Sequence, residues 1–242
     1  MKDMILKGAA ELGISLSEPQ AEALVKYANI LTERNKSVNL TRITEPEEIV
    51  TKHFLDSLTP LLTDRVNGRV IDVGTGAGFP GLVLKCACPG ISLTLLDSLN
   101  KRISFLKDAA CEMGITDGIE FIHSRAEDAA LSDMHREKYD TVVSRAVANM
   151  RTLAEWCLPF VKPGGYLLAL KGPLAMSELS EAQGAIEILG GGVEDVFKAD
   201  IPFTQLEHKI IVIKKLRHTP GQFPRKGRKA TEIPVEKAYK KR

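Results

Sequence analysis

The fold is decided by residues 68–84, which read Gly68-Arg69-Val70-Ile71-Asp72-Val73-Gly74-Thr75-Gly76-Ala77-Gly78-Phe79-Pro80-Gly81-Leu82-Val83-Leu84. The β-branched run from Val70 to Val73 is typical of a buried parallel strand. Alternate glycines follow, and glycine permits positive φ and a close approach of the backbone to a ligand. The apolar residues after Pro80 suit a helix, so the segment predicts strand, tight turn and helix. In a parallel sheet such a turn lies at the carboxyl end of a strand, where ligands bind.

The glycine turn fits two classes of cofactor site. Gly76, Gly78 and Gly81 match the G-x-G-x-x-G dinucleotide fingerprint, and Asp97 lies near the position of its ribose-binding acid. The run D-x-G-x-G-x-G that begins at Asp72 also matches the first motif of class I S-adenosylmethionine (SAM) methyltransferases. A carboxylate repels a pyrophosphate but attracts the cationic methionine end of SAM, which favours SAM. The glycine pattern alone leaves an NAD-dependent oxidoreductase open.

Composition sets the broad class. The chain has 242 residues with 44% hydrophobic content, which predicts one domain plus an appendage and a sizeable core. We find no apolar run of the ~18 residues that a membrane span needs and no signal-peptide core, so we expect a cytoplasmic protein without a membrane partner. The cysteines lie in apolar helical patterns and lack zinc-ligand spacing, so we expect buried, reduced thiols and no metal. They are Cys86, Cys88, Cys111 and Cys157.

The net charge of +2 hides an asymmetry between the tail and the body. Residues 217–242 contain nine Lys and Arg against two Glu, a net +7, so the remainder carries −5. A basic tail on an acidic body predicts a polyanionic partner, with RNA or DNA first. The alternative is a solvated terminus without a partner. The candidates for RNA-phosphate contacts are Arg225, Lys226, Arg228 and Lys229.

The rest of the chain predicts a helical N-terminal part and an α/β domain. Within the N-terminal part we expect a helix from Ser17, a loop over residues 35–39, and a helix from Glu45 that carries His53 and Asp56 three positions apart. We expect those two side chains to pack on or hydrogen-bond to the next domain rather than bind a metal.

Strands and helices alternate after residue 66, which predicts a mostly parallel sheet. Two extended runs near residues 190–197 and 208–214 have no helix between them and predict an antiparallel hairpin at the sheet edge. That ending is typical of a Rossmann-like class I SAM methyltransferase with seven strands, whereas a dinucleotide dehydrogenase would continue with βαβ units. We predict a helical cap (1–66), a SAM-binding methyltransferase domain (67–216) and a basic tail (217–242).

Several stretches together resemble the bacterial 16S rRNA guanine-N7 methyltransferases, the RsmG (GidB) family. The matching pieces are Asn39-Leu40-Thr41, His53-Phe54-Leu55-Asp56-Ser57, the glycine segment with Phe79-Pro80-Gly81, Asp97-Ser98-x-x-Lys101-Arg102, Arg125-Ala126-Glu127, Ser144-Arg145-Ala146, Lys171-Gly172 and Phe223-Pro224-Arg225. They span nearly the whole chain in order, and their combination is specific although the glycine motif is common. The tail departs from the family, which often has Gly-x-Pro where this chain has Gly227-Arg228-Lys229.

The resemblance implies methyl transfer from SAM to N7 of one guanosine in the 530-loop region of 16S rRNA. The partner is then 16S rRNA or the 30S subunit, and we take the chain to be a monomer. Guanine N7 already carries a free lone pair, so no general base is needed. Near-attack geometry can supply roughly 7–11 kcal/mol of the barrier. A non-catalytic ribosome-assembly factor that keeps SAM as structure is the competing hypothesis.

Family resemblance and position at predicted strand ends together give the candidate cofactor-binding residues. Glycines approach the methionine half, an aromatic ring packs on the cofactor, an acid accepts the ribose hydroxyls, and the next strand ends beside the adenine. Those residues are Gly74, Gly76, Gly78, Phe79, Asp97, Ser98, Leu99, Ala126, Glu127 and Arg145. Arg145 is placed between cofactor and target base and is the one tentative catalytic residue. Simpler alternatives are a helix N-cap for Asp97, a solvated loop acid for Glu127 and a surface ion pair for Arg145.

Overall fold

A computed structural model describes residues 1–145, 147–227 and 229–239 of the chain. The helices in chain order are α1 (Lys2–Glu11), α2 (Glu18–Val38), α3 (Pro46–Glu48), a π-helix (Ile49–Leu55), α4 (Asp56–Leu58), a 3₁₀ turn (Thr59–Thr63), α5 (Gly81–Ala87), α6 (Asn100–Met113), α7 (Ala126–Ala129), α8 (Met150–Cys157), a 3₁₀ turn (Leu158–Phe160), α9 (Ala175–Ile188), α10 (Lys229–Glu232) and α11 (Val235–Ala238). The strands are β1 (Arg69–Val73), β2 (Ser92–Asp97), β3 (Ile119–His123), β4 (Tyr139–Arg145), β5 (Val161–Lys171), β6 (Gly191–Asp200) and β7 (Glu207–Lys215).

The strands form one seven-stranded sheet in the order β3-β2-β1-β4-β5-β7-β6. Strands β1 to β5 pair in parallel, and β7 runs antiparallel to both β5 and β6. This arrangement confirms the predicted α/β, Rossmann-like, mostly parallel sheet and its closing hairpin. The carboxyl ends of β1, β2, β3 and β4 therefore meet at one edge of the sheet, which is where a ligand site is expected.

The N-terminal helices pack against one face of the sheet through a shared apolar core. Leu24, Leu31 and Phe54 belong to the same buried cluster as Val70 and Leu95 of the sheet. Helix α2 begins after Ser17, whose backbone N–H donates to Gln20 Oε1 at 2.8 Å. The loop predicted over residues 35–39 is wrong, because α2 continues to Val38 and ends at Asn39, which has φ +52°.

The helix predicted from Glu45 is interrupted by a π-helix at Ile49–Leu55, between two short α-helical segments. The π-helix has the wider i→i+5 ladder, which is rare and frequent at functional sites. Its residues are mostly buried, including His53 and Phe54. Asp56 follows it directly at the start of α4. This irregular turn directs both polar side chains toward the sheet domain, which confirms that they make contacts with it.

The opposite face of the sheet is covered by α8, α9 and the tail. Phe223 and Val235 of the tail lie in one buried cluster with Leu153 and Leu167. Arg136 adds polar anchors, because its guanidinium donates to the Phe223 and Thr219 carbonyl oxygens at 2.9 Å each. The described part of the tail is therefore packed on the domain, which does not fit the alternative of a merely solvated terminus.

Two further findings concern the described residues only. Every helix among them is too short or too polar to span a membrane, and we find no cluster of three or more His, Cys, Asp or Glu side chains that could hold a metal ion. All four cysteines are free. The expectation of buried thiols is correct for Cys86 and Cys157, but Cys88 is half-buried and Cys111 is exposed.

Candidate active site

The glycine turn after β1 has the backbone conformation that the sequence predicts. Gly74, Gly76 and Gly78 have φ values of +73°, +60° and +89°, a region that side-chain-bearing residues rarely adopt. The amides of Gly74 and Thr75 donate to the Leu96 carbonyl at 2.9 and 3.0 Å, which fixes the turn to the end of β2. The turn therefore connects two neighbouring strand ends.

The glycines of this turn serve different purposes. A Cβ at Gly76 would meet nothing within 4 Å, so its open side faces a cavity. A Cβ at Gly78 would lie 2.5 Å from the Tyr27 hydroxyl and 2.8 Å from a Leu106 methyl. Gly78 does not line the cavity, so its missing side chain makes room for helix packing, contrary to the expected contact with a cofactor.

Asp72 lies beneath the turn and supports it. Its Oδ2 accepts hydrogen bonds from Thr75 Oγ1 at 2.7 Å and from the Gly81 amide at 2.8 Å. The side chain is fully buried, and burial raises the pKa of Asp72 to about 6. The residue does not line the cavity. Its carboxylate therefore stabilises the turn. Its position outside the cavity does not fit the expected direct attraction between Asp72 and a cationic ligand.

A cavity of about 410 Å³ opens over the turn, a volume within the usual range for small-molecule sites. The ends of β1, β2, β3 and β4 all contribute to its wall, together with residues of the N-terminal part. Its lining residues are Leu40, Thr41, His53, Val73, Gly74, Thr75, Gly76, Ala77, Phe79, Leu96, Asp97, Ser98, Arg102, Ser124, Arg125, Ala126, Glu127, Arg145, Val147 and Trp156. We call it the first cavity.

Asp97 closes the side of the first cavity at the end of β2. It is 3% exposed, and its oxygens accept hydrogen bonds from the Gly76 and Leu99 amides at 2.9 Å each. Arg102 Nη1 adds an ion pair at 3.2 Å. Leu99, not Asp97, is the N-cap of α6, so the helix-cap alternative fails. Ser98 lines the cavity, whereas Leu99 is 43% exposed and lies outside the wall.

Two buried polar groups at the other end of the first cavity lack protein partners. Glu127 is 5% exposed, so it is not a solvated loop acid, and no described residue donates a hydrogen bond to it. It follows Ala126, the first residue of α7, whose amide has no partner within the helix. Trp156 Nε1 is buried and also unpaired among the described residues. Ala126 and Glu127 both line the first cavity, so this wall offers a ligand an unpaired acceptor beside an unpaired amide donor.

Trp156 is a site residue that the sequence analysis missed. It lies in the apolar pattern of α8, where an aromatic residue is normally part of the core. The available signal was its indole N–H, because a buried tryptophan needs an acceptor and the neighbouring helical residues offer none.

Arg145 is anchored where the strand end meets the N-terminal part. Its Nη1 donates to Asp56 Oδ2 at 2.7 Å and to the Lys52 carbonyl at 3.0 Å. Its guanidinium lies 5.2 Å from the centroid of the Phe79 ring, which His53 stacks against at 4.2 Å. With the Arg145 side chain 15% exposed and Asp56 2% exposed, this is a buried ion pair and not the surface pair of the alternative reading.

Charge states around Arg145 follow from burial and neighbours. Burial and the nearby Arg145 charge lower the pKa of His53 to about 3, so its ring is neutral. Arg145 Nη2 lies 3.3 Å from His53 Nδ1, and Thr41 Oγ1 lies 2.9 Å from Nε2. A guanidinium can only donate, so we assign the ring proton to Nε2. His53 thus accepts from Arg145 and donates to Thr41.

Asp56 is the anionic centre of the same group. Burial works to raise the pKa of Asp56, but the hydrogen bond with His208 and the charge of Arg145 outweigh it and lower the pKa. His208 Nδ1 lies 2.6 Å from Asp56 Oδ1, and this hydrogen bond raises the pKa of His208. The two oxygens of Asp56 therefore accept hydrogen bonds from different partners, Oδ2 from Arg145 and Oδ1 from His208.

A second cavity of about 660 Å³ adjoins the first. Its lining residues are Ile43, Lys52, His53, Asp56, Arg145, Val147, Ala148, Asn149, Leu170, Lys171, Gly172, Glu178, Leu206 and His208. His53, Arg145 and Val147 line both cavities and thus form a common wall. Two sites separated by a few side chains are what a transfer between two bound molecules requires.

The basic tail candidates are not equivalent. Arg225 grips the fully buried Glu155, with Nε–Oε1 and Nη2–Oε2 distances of 2.8 and 2.6 Å, and its side chain is 11% exposed. That position does not fit the expected phosphate contact, because the guanidinium is already engaged inside the protein. Lys226 is 69% exposed and pairs with Asp128 at 3.1 Å. Arg228 lies outside the described residues, as does the side chain of Lys229.

Comparison with known proteins gives a consistent set of relatives. The model of the GidB family, described as rRNA small subunit methyltransferase G, matches residues 20–206. Ribosomal RNA small subunit methyltransferase G of Alkaliphilus oremlandii is 48% identical over 238 residues, covering 98% of this chain and 99% of that protein. The protein of the same name from Lactobacillus johnsonii is 46% identical over 237 residues, covering 96% and 99%.

Solved structures share the fold at low sequence identity. The crystal structure of M. jannaschii TYW2 in complex with AdoMet has a TM-score of 0.54 at 12% identity, and the match covers 72% of this chain and 80% of that one. A putative S-adenosyl-L-methionine-dependent methyltransferase from Methanococcus maripaludis has a TM-score of 0.51 at 15% identity, covering 79% and 93%. Both likenesses concern the α/β fold.

Proposed function

Because this chain belongs to the GidB family of rRNA small subunit methyltransferases G, we propose that it transfers the methyl group of SAM to N7 of one guanosine in the 530-loop region of 16S rRNA. The observation that carries the proposal is the pair of adjoining cavities with Arg145, His53 and Val147 as their common wall. The first cavity would hold the cofactor, and the second would receive the target base. The substrate is 16S rRNA or the 30S subunit, met in the cytoplasm by a monomer.

The residues of the first cavity suit SAM. Gly76 leaves the backbone open to the methionine half, whereas the missing side chain of Gly74 makes room for Val147 of the common wall. Asp97 offers carboxylate oxygens at the end of β2 for the ribose hydroxyls. Glu127 and the Ala126 amide together present an acceptor beside a donor, which matches the N6 amino group and N1 of adenine. Trp156 lines the same space.

SAM, when bound, supplies an electrophilic methyl group on a sulfonium. The target N7 carries a free lone pair, so the chain's residues would have to hold that atom in line with the methyl group and accommodate the positive charge that the purine would gain. No proton has to leave before this step, which agrees with a neutral His53 and with Arg145 held as a cation. The chain therefore acts by positioning and electrostatics, where orientation alone can supply about 7–11 kcal/mol.

Arg145 is the residue that we propose between the two reactants. Asp56, Lys52 and the Phe79 ring hold its guanidinium in place. Both Nη1 hydrogens and one Nη2 hydrogen are engaged by Asp56, the Lys52 carbonyl and His53, so the second Nη2 hydrogen is left to donate toward the base or the cofactor carboxylate. Its position is fixed, and preorganised donors are effective because they do not reorganise during the reaction. We assign Arg145 to orientation of the reactants rather than to proton transfer.

The experiment that tests the function is methylation of 16S rRNA and of 30S subunits with methyl-labelled SAM. Nuclease mapping and chromatography of the labelled nucleoside should give 7-methylguanosine at a single position in the 530-loop region. Label on another atom or at many positions would refute the proposal. Titration calorimetry supplies the cofactor test, because S-adenosylhomocysteine should bind and NADH should not.

A further inference from the structure

The acceptor atom of the proposed reaction does not distinguish the two purines. Adenine and guanine both carry N7 with the same lone pair. A methyltransferase selective for guanine must therefore recognise the six-membered ring, where guanine presents O6 as an acceptor and N1–H and N2–H as donors. Adenine presents the opposite order there, an amino donor at C6 and an acceptor at N1.

We propose that Glu178, held beside Lys171 in the second cavity, binds the N1–H and N2–H edge of the target guanine while Lys171 donates to its O6. The inference rests on the proposed function above, and it assigns the residues that select guanine. It makes the second cavity a base-specific pocket rather than a passive entrance.

The geometry of Glu178 leaves one carboxylate oxygen available. Oε2 accepts hydrogen bonds from the Met150 amide at 2.9 Å and from Lys171 Nζ at 2.7 Å. No described residue donates to Oε1, and the side chain is 27% exposed and lines the cavity. One oxygen thus fixes the carboxylate while the other faces the space where the base would lie.

The other carboxylate in this cavity is more deeply buried and has both oxygens engaged. Asp56 is 2% exposed and accepts from Arg145 with Oδ2 and from His208 with Oδ1. Of the two acids that line the second cavity among the described residues, Glu178 is the more exposed one and the one with an unpartnered oxygen. The assignment to Glu178 follows from this difference.

Lys171 supplies the complementary donor. Its ammonium has three N–H groups, of which one is directed at the Ala148 carbonyl and one at Glu178 Oε2. The side chain is 6% exposed and lines the cavity. A half-buried acceptor next to a buried donor matches guanine, whereas adenine would bring its N1 lone pair against the carboxylate and its amino group against the ammonium.

The same contact would favour the reaction itself. As N7 gains the methyl group, positive charge spreads over the purine and N1–H becomes a stronger donor. A carboxylate at N1–H therefore binds the transition state more tightly than the substrate, which is the condition for raising kcat. Glu178 would thus act on both specificity and rate.

The test compares 16S rRNA that carries guanosine, inosine or adenosine at the methylated position, each assembled into 30S subunits. Inosine keeps O6 and N1–H but lacks the N2 amino group. For the wild-type protein we expect kcat/KM to fall about 10- to 100-fold with inosine. A fall of this size corresponds to the loss of one hydrogen bond between the N2 amino group and a charged acceptor. Adenosine should give no detectable transfer.

Glu178→Gln should lose most activity on guanosine, and its remaining activity should differ less than about 3-fold between guanosine and inosine. Glu181→Gln, an equal change of charge one turn along the exposed side of α9, should keep the wild-type preference. An equal inosine penalty in the wild type and in Glu178→Gln would overturn the assignment. The assignment would also be overturned if the wild-type protein methylated inosine as well as guanosine. This second measurement does not depend on whether the variant folds.

The outcomes also separate this inference from the proposed function. A wild-type protein that places no methyl group on guanosine N7 overturns the proposed function and this inference together. A wild-type protein that does so, but shows no inosine penalty, overturns the inference alone. Binding of S-adenosylhomocysteine to Glu178→Gln should stay within about 2-fold of wild type, because the substitution lies outside the first cavity.

Discussion

The guanidinium of Arg145 lies 2.7 Å from the carboxylate of Asp56, although 89 residues separate them in the chain. The pair joins the end of β4 to the segment that follows the π-helix, so it crosses the predicted boundary between the helical cap and the sheet domain. Both partners also line the second cavity. One contact therefore attaches the cap and fixes the residue that we place between cofactor and base.

The first prediction concerns this pair. Asp56→Asn and Arg145→Gln should each lower the free energy of unfolding by roughly 3–5 kcal/mol, because each leaves a buried partner uncompensated. The double variant should lose clearly less than the sum of the two, since no lone charge remains. Urea unfolding of all four proteins measures this coupling. Strictly additive losses would show that the two residues act independently.

The same variants should separate stability from turnover. Asp56→Asn keeps Arg145 but removes its main anchor, so we expect kcat for rRNA methylation to fall by about 10-fold or more, since small misplacements of a positioning group are costly. Binding of S-adenosylhomocysteine should change little. A wild-type kcat in Asp56→Asn, measured where the variant is fully folded, would argue against a positioning role.

The second prediction is a pH dependence. The hydrogen bond to Asp56 raises the pKa of His208 in the folded protein, although Arg145 acts in the opposite direction. The stability that protonated His208 provides is therefore fully present below its unfolded pKa of about 6.5 and is lost as the pH rises through the folded value. His208→Gln should destabilise the protein more at pH 5.5 than at pH 8.5.

The control for that prediction is the Asp56→Asn background. Without the carboxylate, His208 loses the main cause of its raised pKa. The remaining causes, burial and the charge of Arg145, both lower the pKa of His208. In this background His208→Gln should therefore destabilise the protein less at pH 5.5 than at pH 8.5 in urea unfolding, the reverse of the wild-type background. A larger destabilisation at pH 5.5 that survives Asp56→Asn would mean that another group raises the pKa of His208.

Local chemistry explains which features the sequence could predict. The strand, the positive φ values of Gly74 and Gly76, and the acid at Asp97 are each determined by residues a few positions apart, and the structure has them as expected. The parallel sheet and its closing hairpin were predictable because alternating strands and helices allow few arrangements. The π-helix at Ile49–Leu55 was not predictable, since its residues have the same apolar spacing as an ordinary amphipathic helix.

Contacts between distant segments account for the remaining differences. Arg225 and Lys226 are adjacent basic residues in the sequence. Arg225 nevertheless forms an ion pair with buried Glu155, whereas Lys226 is exposed. Glu178 belongs to an ordinary helical pattern, and only the folded chain brings it beside Lys171 and the second cavity. Sequence alone gives the charge of such residues but not the partner that determines their role.

The third prediction uses the contrast in the tail. Arg225→Ala should lower the free energy of unfolding by about 3–5 kcal/mol, because Glu155 is left as a buried, unpaired charge. Lys226→Ala should leave stability within ~0.5 kcal/mol of wild type, as expected of an exposed residue. Thermal and urea unfolding measure both.

RNA binding should show the reverse order for these two residues. If Lys226 contacts a phosphate, Lys226→Ala should reduce the slope of log K against log salt by roughly 1. Arg225→Ala, tested at a temperature where it is folded, should keep the wild-type slope. If Arg225→Ala alone changed the slope of log K against log salt, Arg225 would be a phosphate ligand after all.

The fourth prediction concerns Glu127. Since no described residue donates a hydrogen bond to this buried carboxylate, Glu127→Gln should not lower the thermal stability of the ligand-free protein. It should weaken S-adenosylhomocysteine binding about 10-fold, because a hydrogen bond from the adenine amino group to a charged acceptor is worth more than one to an amide. Undiminished affinity in calorimetry would remove Glu127 from the adenine site.

The fifth prediction compares two glycines with the same backbone demand. Gly76 has φ +60° and Gly13 has φ +75°, and a Cβ added to either would meet no atom within 4 Å. Alanine at both positions should therefore cost a similar ~1–2 kcal/mol of stability from the left-handed backbone alone. Only Gly76 lines the first cavity, so only Gly76→Ala should also fill space that the cofactor needs.

Calorimetry with S-adenosylhomocysteine separates the two effects. Gly76→Ala should bind at least about 10-fold more weakly than wild type, because a methyl group placed against the ligand forces a shift in a tightly fitted site. Gly13→Ala, equally strained but outside the cavity, should bind as wild type does. Equal affinities in the two variants would mean that the open side of the turn is not where the cofactor lies, and the assignment of the first cavity would then be wrong.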